Sequence, residues 1–325
     1  MPPLDIESKP PLNQETNRNP VPSGTASENG RTVQAPEDNC LAAFTTEVII
    51  SSAQDFFHRL LSEPLSSHAW VFRGHADSTW RLQPSLERHA ARKKIGPMKA
   101  ERFVIREFKR VAHQYELGVH EDDELEWLAL MRHHGAPTRL LDWTKSPYVA
   151  AFFATAEAAE DDSCVVWAID AFTLTAVAFG MISQLFPQFK NERHEILCQS
   201  GVFQQVFMQR YPQPEYALVA PVQPSRANER VTVQQGLFLC PCNLHLGFEQ
   251  CLSKVLQSAN RGSRMLHKLV IKPEVRTDIL QQLHRMNISY ATLFPGLDGF
   301  ARSLGTNLEI LGKVGHPLIP GPFDA

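Results

Sequence analysis

The chain lacks several things that would narrow its function at once. No apolar run is long and clean enough to span a bilayer. The most apolar stretch, Ala171 to Phe186, is interrupted by Thr173, Thr175, Gly180, Ser183 and Gln184. The N-terminus has no apolar core of a signal peptide, so disulfides are not expected and the cytoplasm is the expected compartment. Without a bilayer-spanning run no membrane partner is expected; there is also no basic excess, and the formal net charge of -3 gives no strong nucleic-acid signature. The six cysteines show no paired CxxC knuckles. Cys240, Cys242 and Cys251 with His245 are the nearest approach to a zinc set, and their spacing argues for strand alternation, so no metal is expected. No pair of carboxylates stands at motif positions as a glycosidase would need, and no internal repeat is visible.

What is present fits a globular domain with a substantial core: 325 residues, 43% hydrophobic and 21% charged. Residues 1–40 are rich in Pro, Ser, Asn, Glu and Gly, and that composition predicts a disordered tail. Folded structure is expected over 44–310, with 311–325 as a C-terminal extension. Helices are predicted from Ser52, across Met98–Leu117, from Asp123 with Glu126 three residues on, and with Val275, Ile279, Leu283 and Met286 on one face. The basic run Arg88 to Arg110, interspersed with Glu101 and Glu107, reads as a solvated helix face. Strands are expected at Ala69–His75, Leu140–Trp143, Cys164–Asp170, Leu218–Pro221, Arg230–Phe238, Leu266–Ile271 and, at the edge, Leu308–Leu311, with Asp298 capping a short last helix before it. The stretch from Phe172 to Tyr216 carries mixed signals.

The segment His133 to Ala154 organises the rest. A Gly-Ala-Pro turn leads into a short apolar strand that carries Arg139 and Asp142, charges that a pure packing element avoids. Ser146-Pro147 then supplies an N-cap and a first-turn proline for an apolar, buried helix. The free N–H groups at that helix start would suit an anion; alternatively, an Arg139–Asp142 pair simply holds the corner shut. Arg73 ends the first strand beside Gly74, where a ligand could approach the backbone. Of the adjacent histidines, one is expected in a site and the other exposed. Trp143 or Trp70 would stack on a ring of a ligand or fill the core.

Four separated motifs, Trp70-Val71-Phe72-Arg73-Gly74, His133 through Thr144, Gln234-Gln235-Gly236-Leu237-Phe238 and Phe294 through Gly299, together resemble the FRG domain family, in the family's own order. The Phe-Arg-Gly triplet that names the family is Phe72-Arg73-Gly74. FRG domains look like distant members of the ADP-ribosyltransferase superfamily. The resemblance therefore implies an α+β fold with a split, antiparallel-rich sheet that grips NAD, as substrate, in a cleft. It implies that Arg73 and Gly74 bind the dinucleotide, with Arg139, Ser146, His134 and Trp143 around it, and that Asp142, Thr144 and Gln235 perform the catalysis. The superfamily's glutamate is missing: Gln234 or Gln235 stands in its place and brings no negative charge for the developing cation. Either Asp142 supplies that charge, for transfer of ADP-ribose to a macromolecular acceptor or to water, or the domain is a non-catalytic nucleotide- or protein-binding module. A purely structural use of these charges is the third reading.

Overall fold

Brief β-branched and aromatic runs bounded by turn residues become strands here, and each capped apolar repeat becomes a helix. The protein, seen in a computed structural model, is described over residues 40–67, 69–115, 118–208, 216–259 and 265–314. The tail expected to be disordered, 1–39, and the end from 315 lie outside the described residues. Among these residues, strands β1 (Thr45–Ile50), β2 (Trp70–His75), β3 (Leu141–Thr144), β4 (Cys164–Asp170), β5 (Val219–Val222), β6 (Gly236–Pro241) and β7 (Leu266–Ile271) form one sheet in the order β1-β7-β4-β2-β3-β6-β5. The pair β1/β7 is parallel and the other five are antiparallel.

Twelve helices surround the sheet among the described residues. In chain order they are α1 (Ala53–Leu60), α2 (Ser85–Lys93), α3 (Pro97–Ala112), α4 (Glu124–His133), α5 (Pro147–Ala156), α6 (Ala171–Leu185), α7 (Ser200–Phe203), α8 (Glu229–Val233), α9 (Phe248–Ser258), α10 (Pro273–Arg285), α11 (Tyr290–Leu293) and α12 (Leu297–Val314). The fold is thus α+β. Strand alternation divides the core into two. Val71, Val165, Trp167 and Trp143 pack with α4, α6 and α9 on one face, whereas Trp70, Phe72, Val166 and Ala168 pack with α1, α5 and α10 on the other. Helix α5 is apolar nearly all round and accordingly buried, with Phe152 at 1% exposure. No described helix is long and apolar enough to cross a membrane.

Local signals account for several starts. Ser52 Oγ accepts from Asp55 N, Asp123 Oδ1 from Glu126 N, and Ser146 Oγ from Val149 N, capping α1, α4 and α5. Two sequence expectations are corrected. The strand expected over Arg230–Phe238 begins only at Gly236, because Asn228 caps α8 by accepting from Val231 N. The edge strand expected at Leu308–Leu311 is helical and belongs to α12, with Asp298 inside its first turn. There Glu309 pairs with the buried Arg276 of α10, which ties the helix down where no strand partner exists. The ambiguous stretch after Phe172 starts with α6, capped by Asp170, whose Oδ1 accepts from Thr173 N.

Candidate functional site

The site arises where the sheet splits. Strand β2 pairs with β4 along its length, from Trp70 opposite Asp170 to His75 opposite Val165. Strand β3 pairs with β6 from Leu141 to Thr144. Between β2 and β3 there is one register pair, Phe72 opposite Thr144. Away from that pair the two strands part, and a cleft of about 760 Å³ opens between them. Arg73 bridges the opening. Its NH1 donates to the Asp142 carbonyl at 2.6 Å, in place of a ladder bond, and its Nε donates to His75 Nε2 at 2.9 Å. That bond requires a neutral His75, and burial, then the Arg73 charge, push its pKa down to about 3.

The cleft is strongly cationic. Arg73, Arg81, Arg88, Arg132, Arg230 and Arg302 line it against the carboxylates Asp142 and Glu157. Arg132, in the last turn of α4, holds Asp142 Oδ2 with two bonds, Nε at 2.8 Å and NH2 at 2.6 Å, and Arg73 NH1 lies 3.8 Å from the same oxygen. Arg81 is engaged by Glu249, and Arg302 by Glu157. Arg88 and Arg230 have no carboxylate in ion-pair distance among the described residues; Arg230 lies 4.3 Å over the Phe294 ring. Burial, with repulsion from Arg132 and Arg88, lowers Arg73 to about 10, and burial and Arg132 lower Arg88 and Arg230 as well. All three stay charged at neutral pH. A dianion entering here would relieve their mutual repulsion.

Burial by itself would raise the Asp142 pKa, but Arg132 and then Arg73 hold it below 3.8. A lowered carboxylate pKa contributes stability above its ordinary value and loses it as pH falls through the lowered one. In urea unfolding, the gap between wild type and Asp142→Asn is therefore expected to be constant above about pH 5 and to close below 3.8. A gap that persists unchanged to pH 2 would rule out the pairing as its source.

The residues singled out from sequence divide. Arg73, Gly74, Asp142, Trp143 and Thr144 border the cleft, as does Gln234. Thr144 Oγ1 donates to the Gln234 carbonyl at 2.6 Å and accepts from Ser146 N, so its hydroxyl is already used in joining β3 to the turn before β6. Four expectations are corrected. Arg139 does not pair with Asp142: the alternation of β3 and the preceding turn send it to Glu101, 3% exposed and away from the cleft. Ser146 caps α5, and the cleft meets the flank of that helix at Ala150 and Phe153, not its N-terminus. Gln235 is an exposed turn residue at φ 50°, and Gln234 is the glutamine at the cleft. His134 is exposed, while its neighbour His133 lines the cleft. Burial first lowers the His133 pKa from 6.5, leaving it neutral at pH 7. Trp143 and Trp70 are core residues, 3% and 4% exposed.

Sequence reading missed Arg132, Arg88, Arg230, Arg302 and Trp80. Arg132 had a signal, since it stands one residue before the segment taken as central. The others come from helices and a loop whose local patterns say nothing of the cleft. Cys240 and Cys251 are buried, and the Cys242 and Cys251 thiols bond backbone carbonyls. No group of three or more His, Cys, Asp or Glu is placed to hold a metal ion among the described residues.

The family model of the FRG domain matches residues 68–163. Over that span the chain is similar to the FRG domain. The matched span includes β2, α4, β3 and α5, and with them Arg73, Arg132, His133 and Asp142. The opposite wall, with Arg230, Gln234, Phe294 and Arg302, comes from outside the span. No curated protein and no solved structure matches the chain.

Proposed function

We propose that the FRG cleft binds NAD and transfers its ADP-ribose to a macromolecular acceptor or to water. The observation that carries this reading is the ring of Arg73, Arg88, Arg132 and Arg230 gathered about Asp142 where the sheet splits. Four guanidinium groups around one carboxylate suit a diphosphate, and the planar forks of Arg73 and Arg132 are oriented before any ligand arrives. In the reaction, the bond from the nicotinamide nitrogen to ribose C1′ breaks and its electron pair leaves with nicotinamide. A lone pair of the acceptor forms the new bond to C1′. The acceptor proton passes to His133, the cleft imidazole that Arg73 does not occupy, and Asp142 faces the positive charge that develops on the ribose. In this reading Gln234, which lines the cleft and whose Nε2 donates to the Leu293 carbonyl, takes the place given to Gln235 and accepts from a ribose hydroxyl through its amide oxygen.

One observation favours the binding-module alternative: Asp142 is already neutralised by Arg132 and Arg73, and Gln234 brings no charge. Calorimetry with NAD, with nicotinamide release followed in parallel, separates the readings. Arg230→Gln, at a position with no carboxylate in ion-pair distance among the described residues, is expected to weaken NAD binding about tenfold, or ~1.4 kcal/mol, without loss of fold. Arg73→Gln is expected to abolish it. Release of nicotinamide by wild type supports the transferase; binding without release supports the module. Absence of binding would end the NAD reading.

A further inference from the structure

Four of the five tryptophans are core residues, at 3% to 8% exposure, and the fifth, Trp80, is 53% exposed and lines the cleft. An exposed indole forgoes the burial that normally makes tryptophan worth its size. It is also held in place. Trp80 follows β2 in a turn closed by Asp77, whose Oδ1 accepts from Thr79 N at 2.8 Å and from Thr79 Oγ1 at 2.6 Å. Trp80 N donates to the Asp77 carbonyl at 3.2 Å, and Ser78 N donates to the Ser163 carbonyl at 2.7 Å, which ties the turn to the chain entering β4. Its one ring contact among the described residues is His75, centroids 6.1 Å apart, and that imidazole is kept neutral. The turn thus fixes the Trp80 backbone and presents an exposed aromatic surface on the cleft that the arginines line.

We propose that Trp80 is the stacking platform for the adenine base of the ligand, with the diphosphate on Arg73, Arg88 and Arg132. The inference rests on the nucleotide reading of the cleft and extends it to a specificity-determining residue. Adenine is the base assigned because it stands at the end of the dinucleotide distant from the bond that breaks. The proposed reaction puts the nicotinamide ribose at Asp142 and His133, and Trp80 is the exposed tryptophan of the same cleft. Arg88, which borders the same cleft and has no carboxylate in ion-pair distance among the described residues, supplies positive charge for the diphosphate.

The test uses the full chain and three probes: ADP, nicotinamide mononucleotide and inorganic pyrophosphate. ADP is expected to quench the tryptophan fluorescence of wild type. Trp80→Ala is expected to bind ADP about tenfold more weakly and pyrophosphate unchanged, with Trp80→Phe keeping most of the ADP affinity. Equal ADP affinity in wild type and Trp80→Ala, with pyrophosphate bound by both, overturns the platform and leaves the anion cleft standing. Loss confined to nicotinamide mononucleotide overturns the assignment of adenine. If wild type binds none of the probes, the nucleotide reading falls and the platform with it.

Discussion

Glu101→Ala is expected to destabilise the protein by about 3–5 kcal/mol, a large part of the stability of any single domain. Glu101 and Arg139 are 5% and 3% exposed. Arg139 Nε donates to Glu101 Oε1 at 2.6 Å, its NH2 pairs with the second carboxylate oxygen, and its NH1 reaches the carbonyls of Phe207 and Pro241. One guanidinium therefore fastens α3, the entry to β3, the turn after α7 and the end of β6. Burial disfavours its charge, yet the carboxylate beside it pushes its pKa up. With Glu101 gone, a guanidinium is left in the interior without a counter-charge. Removing both charges in Glu101→Leu/Arg139→Met is expected to recover most of the loss, because the expensive state is the single unpaired ion. Urea unfolding of the two variants decides the matter. A single-variant cost under ~1 kcal/mol would mean that water reaches the pair.

Gly74→Ala carries the second large effect, about 3 kcal/mol. A Cβ built at Gly74 would lie 2.0 Å from the Ala150 carbonyl oxygen and 2.6 Å from Ala154 N, both backbone atoms of α5. Neither can turn aside as a side chain would, so the helix must lift from β2 and open the core around Phe152. The glycine of the Phe-Arg-Gly triplet, which borders the cleft, is thus also a helix-packing residue, because the backbone of α5 approaches it closely. Gly236→Ala is the control, since its Cβ would meet Val231 at an ordinary 3.5 Å. Thermal melts should separate the two clearly. Equal melting temperatures for the Gly74→Ala and Gly236→Ala proteins would refute the close-approach explanation.

Where function was legible, it was legible through contiguity. Arg73-Gly74 and Asp142-Trp143-Thr144 each sit within one strand, so their residue types mark a charged interruption in an apolar element. That the two strands face each other across a split is a matter of sheet order, and a 69-residue separation between Arg73 and Asp142 carries no trace of it. Arg139 shows the limit most plainly. Three residues from Asp142 it looked like that aspartate's partner, whereas successive side chains of an extended segment leave on opposite faces. Its carboxylate came from α3, 38 residues earlier.

Local pattern alone determined the caps at Ser52, Asp123 and Ser146, the buried character of α5 and most strands, because each depends on residues within a few positions of one another, whereas the α+β class was implied by the family resemblance. Tertiary structure alone decided which arginines meet at Asp142, which histidine and which glutamine reach the cleft, and that Trp80 is left exposed at its edge. Those outcomes depend on how helices from distant parts of the chain, α2, α4, α8 and α12, are set down around the split between β2 and β3, and long-range packing of that kind has no local period to read.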